Sequence, residues 1–246
     1  MSNTVSPHTI PAHDRLIMAL DLPSIEAAKA LVETLGDSIT FYKIGLELFM
    51  AGDYFGLIAW LKARGKKVFA DLKFFDVPET VARAVHALQK HGVDFATVHG
   101  NQAIMQAAAA AKGDVHILAV TVLTSLDQGD LDDLGFECDV SALVLSRARR
   151  ALAAGCDGVI SSGLEVPVLR REVDRKLIVV SPGIRPVENR PSDDQKRVVT
   201  IEQAFHNGAD YIVVGRPIRD AVDPARAAFE AQEQIARIFG QSTTTT

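Results

Sequence analysis

Residues 68–99 read VFADLKFFDVPETVARAVHALQKHGVDFATVH. The stretch opens on an apolar run, Val68 to Lys73, of strand length, and closes on a second, Phe95 to His99. Between them Glu79 to Lys90 has a helical period behind Pro78, and His91-Gly92 supplies the glycine that commonly ends a helix. The unit is strand, helix, strand, the crossover that joins parallel strands.

The same alternation continues outward in both directions. Upstream lie strand candidates Leu16 to Asp21 and Phe41 to Gly45, with a helix candidate from Ser24 to Leu35. Downstream come Ile117 to Leu123, Gly158 to Ser161, Leu177 to Ser181 and Tyr211 to Gly215. Helical periods fill Val140 to Ala154, Ile201 to Asn207 and Pro224 to Phe239, and glycines follow Arg64, Ala154 and Asn207 just before the next strand. The eight strands, each followed by a helix, predict an α/β fold, a single (β/α)8 TIM barrel with a parallel eight-stranded core. An open doubly wound sheet is the competing architecture, but no G-x-G-x-x-G follows the first strand and no linker marks a second domain. The expected organisation is a flexible N-terminal segment at 1–13, one barrel domain at 14–240 and a disordered tail, QSTTTT, at 241–246.

Composition narrows the class of function. The 246 residues are 48% hydrophobic and 23% charged, enough apolar material for one large core. A net charge of -5 and the lack of a Lys/Arg run give no field for nucleic acid. No apolar run reaches membrane-spanning length, and no positive start with an apolar follow-on opens the chain, so no membrane partner and a cytoplasmic location are expected. Cys138 and Cys156 are too few for a disulfide framework or a zinc site and read as structural.

Two segments interrupt the rhythm. Residues 182–199, PGIRPVENRPSDDQKRVV, form an aperiodic loop after the seventh strand, and loops of that length are commonly functional. Residues 124–139, TSLDQGDLDDLGFECD, read as a solvated acidic turn. The alanines 107–111 need only a helix.

Barrels of this kind build their sites at the carboxyl ends of the strands. The polar residues that close the apolar runs are Asp21, Lys43, Asp71 with Lys73, His99, Thr124 and Arg216. Asp71 and Lys73 are two apart, so a strand's period of 2 sends both inward near the barrel mouth. Alone, that pair reads best as a buried ion pair between strands. Asp76, in the turn before the helix, and Lys43 turn it into an alternating array of cations and anions. Such an array costs several kcal/mol per buried ion unless each is paired. Carboxylates beside an ammonium offset the penalty of burial, so the array can keep Lys73 charged and aimed as a general acid. His99 reads as a hydrogen-bonded structural residue.

A phosphate site is indicated independently. TIM barrels often bind phosphate with the loops after strands seven and eight, which here are the 182–199 loop and VVGRPI. Gly215 admits a close approach to the backbone and Arg216 offers a charged fork, while Arg185 and Gln195 lie in a loop long enough to close over the same group.

DLKFFDVPETV resembles the D-x-K-x-x-D-[IV]-P-x-T signature of the orotidine 5'-phosphate decarboxylases. The segments ALD at Asp21, YKIG at Lys43, VTVLTS at Thr124, SPGIRP at Arg185 and VVGRPI at Arg216 fall in that family's order over nearly the whole barrel. The resemblance implies a cofactor-free, metal-free homodimeric enzyme that converts orotidine 5'-phosphate to uridine 5'-phosphate and CO2 in pyrimidine biosynthesis. It implies that Lys73 protonates C6, that Asp71 sits against the substrate carboxylate, and that Asp76 and Thr80 reach the neighbouring subunit's site. By the same carry-over Asp21 and Lys43 hold the ribose, Thr124 lies by the pyrimidine, and Arg185, Gln195, Gly215 and Arg216 take the phosphate. The nearest alternative is a Mg-dependent sugar-phosphate decarboxylase or synthase on the same barrel, which needs an acidic ligand where this chain has Lys43. A non-catalytic phosphate-binding barrel is the other alternative, and the intact Asp71, Lys73 and Asp76 set argues against it.

Overall fold

The computed structural model describes residues 10–185 and 197–240. The strands are β1 (Leu16–Ala19), β2 (Phe41–Gly45), β3 (Lys67–Phe74), β4 (Phe95–Val98), β5 (His116–Val120), β6 (Gly158–Ile160), β7 (Ile178–Ser181) and β8 (Tyr211–Val214). They close into a barrel in sequence order, β8 pairing back onto β1, with every ladder parallel. All eight expected strands are therefore present, each within a few residues of its expected bounds.

Around the barrel lie α1 (Ile25–Leu35), α2 (Leu46–Ala51), α3 (Tyr54–Ala63), α4 (Pro78–Gln89), α5 (Gln102–Ala111), α6 (Gln128–Asp133), α7 (Val140–Ala153), α8 (Val166–Glu172), α9 (Ile201–His206), α10 (Arg216–Arg219) and α11 (Pro224–Gly240). Side-chain caps start several of them: Ser24, Asn101, Asp139 and Thr200 each accept an amide proton from the first turn of the helix that follows. Gly92 and Gly155, at φ 65° and 86°, make the left-handed step that turns α4 and α7 toward the next strand.

One expectation is corrected here. Residues 124–139 are not simply a turn, because Asp127 and Asp130 form a reciprocal capping box that starts α6, and Leu131 buries itself beneath it. Of the segment expected to precede the domain, residues 1–9 lie outside the described residues, while Ile10 is buried and Ala12–Arg15 form a turn of 3-10 helix.

Strand alternation separates two cores. Leu16 and Met18 face the helices, whereas Ile17 and Ala19 face the barrel axis with Phe41, Phe69, Phe95, Leu118 and Tyr211. The aromatic rings close the barrel floor, Phe41 lying 5.0 Å from Phe95 and Phe95 lying 5.1 Å edge-on to Tyr211. With the floor filled, the open end is left to polar side chains.

Candidate active site

The inward register of each strand carries directly into the site. β1 runs Ile17, Ala19, then Asp21; β2 runs Phe41, Lys43, Gly45; β3 runs Phe69, Asp71; β8 runs Tyr211, Val213, Gly215. The upper members of these rows line a cavity of about 420 Å³ at the carboxyl end of the barrel, a size suited to a small-molecule ligand. Lys73, Thr124, Gly183, Arg185 and Arg216 complete the wall. Of the candidates the sequence marked, eight thus share one cavity, Asp21, Lys43, Asp71, Lys73, Thr124, Arg185, Gly215 and Arg216, and Arg219 of α10 joins them unannounced.

The charges form a continuous chain. Lys43 Nζ lies 2.9 Å from Asp21 Oδ1 and 3.4 Å from Asp71 Oδ2. The other oxygen of Asp71 lies 2.9 Å from Lys73 Nζ and accepts a 2.9 Å hydrogen bond from the Thr97 hydroxyl. Burial pushes the Asp71 carboxyl upward, but the charges of Lys43 and Lys73, with hydrogen bonds from Lys73 and Thr97, outweigh it and hold the group below its ordinary value. Burial likewise pulls Lys43 down, and Asp71 and Asp21 outweigh it, so Lys43 is held above the usual lysine range. The array therefore places a fixed anion between two cations.

β3 reaches this geometry by leaving regular strand conformation. Its pairing with β4 shifts register between Ala70 and Phe74. Lys73 stands at φ 49°, the one non-glycine residue with positive φ among the described residues. A left-handed lysine costs roughly 1–2 kcal/mol, and such strain gathers where a functional side chain must be aimed. The period of 2 put Asp71 and Lys73 on one side, and their contact bears that out, although a bulge rather than a straight strand brings it about.

The members expected around the array divide into three. Asp76 is exposed and outside the cavity, its Oδ1 accepting from its own neighbour, the Val77 amide, at 2.6 Å. Thr80, half-buried in the first turn of α4, is outside it too. Within one chain the fourth member of the array is therefore Asp21, not Asp76. Gln195 lies outside the described residues. On the opposite wall, Ile184 bridges Val199 and the Arg185 amide donates to the Val199 carbonyl at 2.9 Å, joining the chain on either side of residues 186–196. His99 is half-buried beside Phe75, with ring centroids 5.6 Å apart, and does not line the cavity. Burial, with Arg147 and Lys73 nearby, lowers its pKa.

Three contributors were not legible. Thr97 is wholly buried, donates to Asp71, and accepts the Lys73 amide at 2.9 Å. Arg219 donates through Nη1 to the Asp21 carbonyl at 2.6 Å while its Nε and Nη2 hold Asp220, tying α10 to the end of β1. Arg197 pairs with Glu165 at 2.7 Å and also donates to the carbonyls of Val122 and Leu123, next to Thr124. Only a fold that brings distant strand ends together exposes these links.

No group of three or more His, Cys, Asp or Glu side chains suited to a metal occurs among the described residues. Asp21 and Asp71 in the cavity wall are bridged by the Lys43 ammonium, which stands where a divalent cation would compete.

Comparison with known proteins agrees with this geometry. A family model described as "Orotidine 5'-phosphate decarboxylase / HUMPS family" matches residues 14–231. An orotidine 5'-phosphate decarboxylase of Methylococcus capsulatus is 74% identical over 239 residues, covering 97% of this chain and 99% of the relative. That of Xanthomonas euvesicatoria is 49% identical over 239 residues, covering 96% and 98%. The crystal structure of orotidine 5'-phosphate decarboxylase from Lactobacillus acidophilus superposes with a TM-score of 0.78 at 36% identity, covering 90% of this chain and 98% of that one. With the parallel barrel and the Asp71 to Lys73 motif already in place, the chain belongs to the orotidine 5'-phosphate decarboxylase / HUMPS family.

Proposed function

We propose that the chain decarboxylates orotidine 5'-phosphate to uridine 5'-phosphate in pyrimidine biosynthesis, with Lys73 as its acid. The observation that carries the reading is the Asp21, Lys43, Asp71, Lys73 chain sharing one cavity with Arg185 and Arg216. That arrangement offers a phosphate end, a ribose end and a fixed ammonium. Lys43 in the second strand also favours the decarboxylase branch over a Mg-dependent sugar-phosphate enzyme, because it would repel the metal.

In this mechanism the bond between C6 and the carboxylate breaks, CO2 leaves, and the electron pair stays on C6 in the ring plane, where the π system cannot spread it. The Lys73 ammonium, preorganised in its left-handed conformation, stabilises that pair and then donates its proton to form the C6–H bond. Lys73 recovers a proton from solvent after product leaves. Asp71 fixes the ammonium and, as a buried anion, disfavours the substrate carboxylate more than the departing neutral CO2. Asp21 and Lys43 hold the ribose hydroxyls, Thr124 borders the base, and Arg185, Gln195, Gly215 and Arg216 take the phosphate. Binding energy at the phosphate helps assemble the site rather than only anchoring the ligand. No step calls on a cofactor or metal.

We assign the active form as a homodimer in which Asp76 and Thr80 serve the neighbouring site. In support, Asp76 faces solvent rather than its own cavity, between Phe75 and Val77, which are 69% and 62% exposed. Met50 and Leu46 of α2, which directly follows β2, are also large exposed apolar residues, at 80% and 58%. A reducing cytoplasm suits Cys138 and Cys156, both free, the second buried with its thiol pushed up to about 12.

The test is the ultraviolet absorbance of orotidine 5'-phosphate mixed with purified protein in excess EDTA. Conversion to uridine 5'-phosphate at a rate EDTA does not change supports a metal-free decarboxylase. No turnover by folded protein, or turnover only with Mg2+, overturns it.

A further inference from the structure

The strand next to the reacting pair contributes one hydroxyl that touches both of its members. Thr97 is the middle of β4, fully buried, on the inward face between Phe95 below and the cavity above. Its Oγ1 donates to Asp71 Oδ1 at 2.9 Å and accepts the backbone amide of Lys73 at 2.9 Å. The second bond matters because β3 and β4 lose register between Ala70 and Phe74. The Lys73 amide, at the break in the ladder, finds the threonine side chain instead of a carbonyl, and regular contact resumes where the His99 amide donates to the Phe74 carbonyl at 3.0 Å. The same oxygen thus completes the bulge that holds Lys73 at φ 49° and fixes one oxygen of the buried carboxylate.

We propose that Thr97 is a positioning residue for the decarboxylation, a hydroxyl that sets the Lys73 backbone and the Asp71 carboxylate in register with each other. It acts through those two groups and does not line the cavity. A structural threonine at a strand centre would need only its shape, and valine shares that shape. The hydroxyl is what couples the two reacting residues. Its hydrogen is committed to Asp71 and its lone pair to Lys73, so neither role can be taken over by a methyl group.

The inference rests on the assignment of Asp71 and Lys73 to the chemistry, and the experiment separates the two. Thr97→Val, Thr97→Ala, Thr97→Ser and Lys73→Ala are assayed for kcat and KM with orotidine 5'-phosphate and for binding of uridine 5'-phosphate. Loss of a hydrogen bond to a charged group corresponds to roughly a 10- to 150-fold effect, so kcat of Thr97→Val is expected to fall about 30-fold. KM and uridine 5'-phosphate affinity should stay within about threefold, since the ribose and phosphate contacts lie elsewhere, and Thr97→Ser should keep kcat within about fivefold. Thr97→Ala leaves the same partners unserved and is read the same way if the valine variant does not fold. Near wild-type kcat in Thr97→Val or Thr97→Ala, with Lys73→Ala inactive, overturns the role of Thr97 alone. Parallel loss in Thr97→Ser and Thr97→Val overturns it too, because shape would then be what counts. An active Lys73→Ala overturns the assignment beneath both.

Discussion

Lys43 and Asp71 face each other at 3.4 Å, each side chain only 12% exposed, on the neighbouring strands β2 and β3. Neither charge would stand alone at that depth. Asp71 is stabilised as an anion by Lys43 and Lys73 and Lys43 as a cation by Asp71 and Asp21, so the array stands or falls as a unit.

A pH dependence of stability follows, with opposite signs at the two ends. Asp71 has a folded pKa below the ordinary 3.8, so its contribution is present above that value and is lost as pH falls through the lowered one. Lys43 has a folded pKa above 10.5, so its contribution is present below that value and is lost as pH rises through the raised one. Neither group makes the melting temperature depend on pH between these limits. In Lys43→Met the acid-side decline should begin at higher pH, because Asp71 loses the charge that lowers it most. Superimposable acid limbs in the two proteins would contradict the coupling.

Arg219 ties α10 to β1 through the Asp21 carbonyl. Arg219→Ala should lower kcat/KM about tenfold while leaving the melting temperature within a few degrees, since it removes one hydrogen bond to the Asp21 carbonyl and a pair to the largely exposed Asp220. Lys should rescue poorly, because it cannot hold Asp220 and the carbonyl together with one fork. Full activity in Arg219→Ala would show that the strut is idle.

The Arg197 to Glu165 pair is buried, with side-chain exposures of 12% and 11%. Removing one partner of such a pair destabilises by about 3–5 kcal/mol, which in a domain of this size lowers the melting temperature by roughly 10 °C. Arg197→Ala should therefore melt clearly below wild type, and calorimetry decides it. A shift under about 2 °C would mean that the pair contributes little.

The shared-site reading is tested by mixing. Lys73→Ala and Asp76→Ala subunits, each inactive alone, should regain part of the wild-type rate once they exchange, because a mixed dimer assembles one intact site from the two chains. Demonstrated exchange without recovery rules out a crossed site.

The barrel was readable because a repeated local signal, a short apolar run followed by a helix and a glycine, needs no long-range information. Asp21, Lys43, Asp71 and Arg216 were readable for a related reason: each closes an apolar run, and strand ends build the site in this fold. Thr97 carried no such mark, since a β-branched residue inside a strand is the ordinary choice there. Arg219 reads in sequence as a charge on a surface helix, and Arg197 as one more cation in a polar loop. Lys73's left-handed backbone was hidden because a lysine gives no hint of positive φ; the bulge that requires it arises from pairing with β4. α6 was missed because its capping box sits inside an acidic stretch that also suits a turn.

The central claim is that Lys73 supplies the proton and the positive charge. The measurement that tests it most directly is the rate of orotidine 5'-phosphate decarboxylation by Lys73→Ala against wild type, with uridine 5'-phosphate binding measured on the same preparations. The account predicts a loss of at least about 10³-fold with the product still bound, as expected when both a general acid and a fixed charge are removed. A variant that binds product and decarboxylates within about tenfold of wild type would contradict it.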